Sequence, residues 1–427
     1  MRIERVEWDG AEPRALAQRL RGQAPGLGDV ARPVAETLAA VRERGDAAVL
    51  ELAERFGEAT DSLCVDPAAI EDAPARLDAA EREALEVAAA NIEAVARAEL
   101  EAVAAPTAIE LEQGHTVEVR TRPVGAAGVY APGGRAAYPS SVLMCCIPAR
   151  AAGVERVAVA TPPGPEGRPS DAVLAACAIA GATEVYAVGG AQAIAALAFG
   201  TETIPAVDVI VGPGNRYVTE AKRQVSGAVG IDGIAGPSEL LVVADGAADP
   251  RVVALDLCAQ GEHGDDSPLV VVSADGGLLD AVEGEVTALA AARETVADCP
   301  LALVLAPDTE SALALADAYA PEHLELAFAG ADADAARERV AGCVFVGPGG
   351  ATALGDYAAG SNHVLPTGGA ARFGGPLGPR AFLRRTSVVS VPGAAVAALA
   401  PHVATLAAAE GLPVHGESVT ARAQGDG

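Results

Sequence analysis

Lysine is all but missing from this 427-residue chain: among 30 lysines and arginines, Lys222 is the only lysine. Aromatic residues are scarce too, at 3%, although hydrophobic residues reach 51%. Ala and Val must therefore supply much of the interior. No run approaches 18 consecutive apolar residues, which argues against a membrane span. The opening stretch MRIERVEWDGAEPR lacks the apolar core of a signal peptide. A cytoplasmic protein is the expectation. Seven cysteines without a CxxC pair form no disulfide framework in a chain this long, so reduced, mostly buried thiols are expected. Positive charge is short as well, and a net charge of −28 would repel phosphates, which argues against nucleic acid as a partner. A carboxylate surplus with almost no lysine is what a salt-rich cytoplasm favours, because screening there weakens like-charge repulsion.

What is present is pattern. Residues 30–105 carry apolar side chains at three- and four-residue spacing and read as helix, and 106–130 read as extended chain. Strands are then expected at 157–161, 184–188 and 207–211, alternating with helices at 170–181, 191–199 and 214–226. A second round follows, with strands at 239–244, 268–273, 301–305, 324–328 and 343–347. Its helices fall at 249–262, 278–296, 309–319 and 332–341. Alternation of this kind gives α/β architecture with parallel sheets. Beyond about 380 come one strand-like run (386–391) and one Ala-rich helix (394–410), too little to fold alone. Ligands of parallel sheets lie at the carboxyl ends of strands. Yet the dinucleotide fingerprint G-x-G-x-x-G is missing: VGPGNRY has Gly212 and Gly214, but Tyr217 takes the third place.

Histidine is rare, and four of the six stand in polar company. In DLCAQGEHGDDSP, Gln260 and His263 are three apart at a helix end and share a face. An amide oxygen and an imidazole are acceptable ligands for Zn²⁺ if Asp356 and His415 join them. Read alone, the pair favours plain helix termination, with Gly264 closing the helix. In PEHLEL, Glu322 and His323 precede a buried strand and have the equipment of general acid–base catalysis; an ordinary capped turn explains them equally well. GDYAAGSNHVLPTGG carries Asp356 and His363 on a Gly-rich loop, Ser238 stands just before a strand, and Glu410 and His415 are unusual company near the C-terminus.

The blocks VYAPGG, GGAQAIAALAFGT, VGPGNRYVTEAKRQV, AGPSE, QGEHGDDS, APEHLEL, GDYAAGSNHVLPT and AAAEGLPVH, in this order over nearly the whole chain, resemble the histidinol dehydrogenase family. The resemblance implies a homodimeric, zinc-dependent enzyme that oxidises L-histidinol through L-histidinaldehyde to L-histidine with two NAD⁺. It implies two incomplete Rossmann-like domains, a helical N-terminal region and a C-terminal segment that crosses to the other subunit. The ranges expected are an arm at 1–30 and helices at 31–125 packed on the second α/β domain. Domains at 126–236 (NAD side) and 237–379 (metal and catalytic residues) and the crossing segment at 380–427 complete the chain. Gln260, His263, Asp356 and, from the partner chain, His415 would bind one Zn²⁺ per subunit. Ser238, His323, His363 and Glu410 would hold substrate with those ligands. Glu322 and His323 would move protons, and Tyr130, Gln192 and Asn215 would contact NAD⁺. Two departures flank the metal motif: Gly261 stands where Ala is expected, and Asp265 where Pro is common.

Rival readings are a related NAD-dependent sulfopropanediol-type dehydrogenase and a zinc-dependent hydrolase. An anionic sulfonate would avoid Glu410, and a hydrolase has no use for Tyr130, Gln192 and Asn215.

Overall fold

Val- and Leu-rich segments buried on both faces form two separate parallel sheets, as expected of strands covered by helices on each side. The computed structural model describes residues 1–427 except 23–29, 59, 61, 104–106, 134–136, 183, 333–335, 338 and 425–427. The first sheet contains β4 (Ala126–Tyr130), β5 (Arg156–Thr161), β6 (Glu184–Ala187), β7 (Val209–Val211) and β8 (Gly230–Ile231), in the order β6-β5-β4-β7-β8. The second contains β9 (Leu240–Ala244), β10 (Leu269–Ser273), β11 (Pro300–Leu305), β12 (His323–Ala327) and β13 (Cys343–Val346). Its order is β1-β11-β10-β9-β12-β13, with β1 (Arg2–Glu7) added at one edge. In each half the first strand sits centrally, two successors lie to one side and two to the other. That is the half-Rossmann winding, with its reversal between β4 and β7 and again between β9 and β12.

The expected alternation therefore holds, with two corrections. Residues 2–7 are no free arm: they pair in parallel with β11 from Arg2↔Pro300 to Glu7↔Leu305. Helices Ala31–Arg44 and Asp46–Arg55, expected on the second α/β half, pack on helix Gly190–Phe199 of the first. Their Val34, Leu38, Val41, Val49 and Leu52 join the first sheet's core. Only the long helix Ala79–Val103 reaches the second half, where Asn91 Nδ2 donates to the Ala358 carbonyl at 2.8 Å. The helix expected over 332–341 falls largely on residues outside those described.

Contacts divide the chain into two units, one of residues 1–98 with 125–382, the other of 99–124 with 383–427. The second unit has an antiparallel sheet, β14-β3-β2, built from β2 (Thr107–Glu110), β3 (Thr116–Pro123) and β14 (Leu383–Ser390). It also has two mutually packed helices, Gly393–Ala409 and Pro413–Gln424. The latter is a further correction, since the sequence reading placed only one helix there. Gly416 makes that pairing possible: a Cβ there would stand 3.1 Å from the Ala404 Cα.

Candidate active site

The two sheets present opposite edges to the candidate site. In the first, the expected residues follow the carboxyl ends of β4, β6 and β7. In the second they lie at the amino ends of β9 and β12, contrary to the general expectation for parallel sheets. Because β9 and β12 are neighbours in register (His323↔Leu240), the segments Ser238–Glu239 and Glu322–His323 come side by side. The Glu239 N–H donates to Glu322 Oε2 at 2.9 Å, and the Glu322 N–H donates back to Glu239 Oε1 at 3.3 Å. Glu239 Oε1 also accepts from the Gly368 N–H at 3.0 Å.

Burial holds the Glu322 carboxyl well above its ordinary range; the Glu239 N–H and the Ser238 hydroxyl oppose that rise, and the Glu239 and Asp356 charges add to it. His323 Nδ1 lies 3.2 Å from the Glu239 carbonyl oxygen, which can only accept. The proton therefore sits on Nδ1, leaving the Nε2 lone pair free, 3.7 Å from Asp356 Oδ1. Burial lowers the His323 imidazole below its ordinary value, while Asp356 works the other way. A neutral imidazole backed by a carbonyl and a carboxylate is a competent proton acceptor.

Asp356 comes from the short helix Thr352–Tyr357, which packs against helix Pro250–Gly261. His363 Nδ1 lies 2.9 Å from the Asp356 carbonyl oxygen, so Nδ1 carries the proton and Nε2 accepts from the Ser141 hydroxyl at 3.2 Å. Asn362 Nδ2 donates to the Met144 carbonyl at 2.6 Å. The His363 loop is thereby tied to helix Pro139–Ala151 of the first half. The charges of Asp356, His263 and His363 act on His323, and those of Asp356 and His263 act on His363. His263 lies just beyond its helix, which ends at Gly261, and its N–H donates to the Gln260 carbonyl at 3.2 Å.

The Gln260 side chain is 1% exposed, yet neither amide atom has a hydrogen-bond partner. A buried amide left so costs about 1–3 kcal/mol, and a metal ion accepting its oxygen would relieve half of that deficit. Among the described residues no group of three or more His, Cys, Asp or Glu stands ready to hold a metal. Gln260 lies on helix Pro250–Gly261, His263 just beyond it, and Asp356 on the helix Thr352–Tyr357 that packs against it. Glu410 and His415 belong to the other unit, exposed at the turn between its two helices. Gly261 has a local reason: a Cβ there would come within 2.8 Å of the Met1 Cε.

At the first sheet, Tyr130 is buried at the end of β4, its hydroxyl accepting the Gly190 N–H at 3.1 Å. Gln192 is buried in the first turn of the next helix. Asn215 is exposed and caps helix Arg216–Val225 through the N–H groups of Tyr217 and Val218. The intervening Gly212 has φ +112°, and a Cβ there would run into the Tyr130 carbonyl oxygen. Both its main-chain groups are held: its N–H by Asp232 Oδ2 at 2.7 Å, its carbonyl by Lys222 Nζ at 3.0 Å. Lys222 and Asp232 form a buried ion pair.

The histidinol dehydrogenase family model matches residues 22–423. Histidinol dehydrogenase of Rhodospirillum rubrum is 46% identical over 434 residues, covering 99% of this chain and 98% of that one. That of Haloarcula marismortui is 47% identical over 406 residues, covering 93% and 94%. The crystal structure of histidinol dehydrogenase from Elizabethkingia anophelis superimposes with a TM-score of 0.88 at 32% identity, covering 99% of this chain and 98% of that one. The chain belongs to the histidinol dehydrogenase family.

It is accordingly an NAD-dependent oxidoreductase of histidine biosynthesis. One cysteine of this histidinol dehydrogenase family member, Cys343, adjoins the site: it pairs with His323 in the sheet and its N–H donates to the Glu322 carbonyl at 2.8 Å. All seven are free, and burial pushes the Cys145, Cys146 and Cys177 thiols up, so none of these three offers a thiolate. Sequence reasoning missed Glu239 and Ser141. Glu239 adjoins the conspicuous Ser238 but looks like the first residue of a strand, and Ser141 is hidden in an apolar helix. No helix among the described residues is long and apolar enough to cross a membrane.

Proposed function

We propose that this chain oxidises L-histidinol through L-histidinaldehyde to L-histidine in the cytoplasm, with two NAD⁺ and one Zn²⁺ per subunit, as a homodimer with shared active sites. The observation that carries the reading is the buried Gln260 amide without partners, three residues before His263, together with a neutral His323 whose free Nε2 lies 3.7 Å from Asp356 Oδ1. Gln260, His263 and Asp356 would hold the metal, with His415 supplied by the other subunit. Bound Zn²⁺ supplies a template for the imidazole and amine of the substrate, and NAD⁺ supplies the hydride acceptor.

His323 Nε2 takes the hydroxyl proton as the carbinol carbon loses hydride, and the Glu239 carbonyl keeps the opposite ring nitrogen protonated. The raised Glu322 carboxyl is basic enough to deprotonate a water that attacks the aldehyde, giving a hydrate. Protonated His323 gives its proton to the former aldehyde oxygen, completing the hydrate, and is then free to accept a second proton as the hydrate loses its hydride. Ser238 and His363 would orient the substrate, and Glu410 would pair with its ammonium. Tyr130, Gln192 and Asn215 would line the cofactor's path.

The shared site is supported by apolar exposure on the C-terminal unit, where Leu406, Leu412 and Val414 flank Glu410 and His415 on solvent. Leu354 and Tyr357, on either side of Asp356, are exposed as well. Two such patches, one at each half of a split ligand set, suit contact between subunits.

Adding L-histidinol and NAD⁺ should produce two NADH per substrate, with the rate abolished by a chelator and restored by Zn²⁺. A flat absorbance at the reduced-nicotinamide band would overturn the reading.

A further inference from the structure

A dinucleotide-binding sheet ordinarily places an acidic residue at the carboxyl end of its second strand, where it receives the ribose hydroxyls. Here the second strand of the first half, β5, runs out into Thr161-Pro162-Pro163-Gly164 and offers no acid. A carboxylate nonetheless stands at that edge, brought from elsewhere in the chain. Glu58 follows helix Asp46–Arg55, whose packing on helix Gly190–Phe199 delivers it to the mouth of the sheet.

Its Oε2 accepts from the Gly189 N–H at 3.2 Å and from Gln192 Nε2 at 3.4 Å, and its charge acts on Tyr130. Two of the three side chains expected at the cofactor are therefore its neighbours. The site is shaped around it, since a Cβ on Gly189 would stand 2.7 Å from Glu58 Oε1. The carboxyl is half-buried, and among the described residues no basic side chain figures in the groups that act on it. Glu58 is therefore an acceptor at the strand ends, suited to hydroxyl donors and hostile to another anion.

We propose that Glu58 receives the adenosine ribose hydroxyls and is the residue that makes the enzyme choose NAD⁺ over NADP⁺. The inference rests on the cofactor position given under Proposed function. A 2′-phosphate beside this carboxylate would add two like charges in a partly desolvated place, and the hydrogen bond from the 2′-hydroxyl to the carboxylate would be lost.

The test compares kcat/KM for NAD⁺ and NADP⁺, with L-histidinol saturating, in the parent, Glu58→Gln and Glu58→Ser. The amide variant keeps an oxygen for the Gly189 N–H, so it preserves the local fold; the serine variant covers the case in which it does not. The NAD⁺ to NADP⁺ preference should fall at least about tenfold, chiefly through KM. A preference unchanged within about threefold in a folded, active variant overturns the proposal. So does an equal gain with both cofactors, which would make Glu58 a plug rather than a discriminator. Gln192→Ala separates this inference from the reading beneath it. If it leaves the KM for NAD⁺ untouched, the cofactor position itself is wrong. If it raises that KM while Glu58→Gln leaves the preference intact, only the role of Glu58 fails.

Discussion

Glu239 and Glu322 exchange main-chain to carboxylate hydrogen bonds across adjacent parallel strands, each N–H donating to the other's side chain at 2.9 and 3.3 Å. The exchange fixes two buried carboxyl groups where neither is free to turn. It also aims the Glu239 carbonyl at His323, so one residue sets the position of one proposed proton carrier and the tautomer of the other.

Replacing Glu239 by Ala should therefore lower kcat roughly 10- to 100-fold with little change in KM for histidinol. Glu239→Gln, which keeps an acceptor for the Gly368 and Glu322 N–H groups, should recover much of the loss. Equal damage from both variants, with native melting temperatures, would show that the carboxylate charge matters and the positioning does not.

His323→Asn should cut turnover by about 10²- to 10⁴-fold while leaving zinc content and histidinol binding near parental values. Metal analysis and calorimetric titration on the same preparation provide the check. A parental rate would remove His323 from the proton pathway.

Asp256 and Glu325 are both buried, each with one oxygen lacking a partner. Burial, then the Asp256 charge, pushes Glu325 up to about 8 from an ordinary 4.5, and burial raises Asp256 to about 6. Between pH 4.5 and about 8 the folded chain keeps a Glu325 proton that the unfolded chain has released. Stability should thus fall as pH rises through that window and level off beyond it. Glu325→Gln removes this fall and should stabilise the protein at pH 9, relative to pH 5, by roughly 2–4 kcal/mol. Denaturant unfolding at both pH values decides it: a mutational difference independent of pH would refute the assignment.

A mixed dimer of one His263→Ala chain and one His415→Ala chain should regain one working site out of two, hence up to about half of parental activity, although each homodimer is inactive. Lack of recovery in a folded heterodimer would argue that each subunit completes its own ligand set.

Much of this was legible in the sequence because a parallel sheet leaves a strong local trace. The runs LLVVA and LVVVS, bounded by polar turns, read as buried strands with no knowledge of their partners. The strand RIERVE carries charge at four of its six positions, and its partner β11 begins near residue 300, so nothing local marks it as the sheet's edge. Helix Pro413–Gln424 hides behind a glycine and many polar residues; its stability comes from the helix it packs on. That Glu322 and His323 stand just before their strand was legible; that this amino edge carries the candidate site was not, because a sequence says where a strand begins but not which end of it is used. Asp256 and Glu325 were lost inside apolar runs, where a single acid passes for a surface residue.

Lys222 gives the molecule an unusual chemical silence. Its ammonium is the chain's only side-chain amine, and it is sealed in the interior between Asp232 and the Gly212 carbonyl. An amine-directed acylating reagent should therefore leave Lys222 of the folded enzyme unmarked, and each label acquired at that amine over time would record an opening of the turn that carries Gly212.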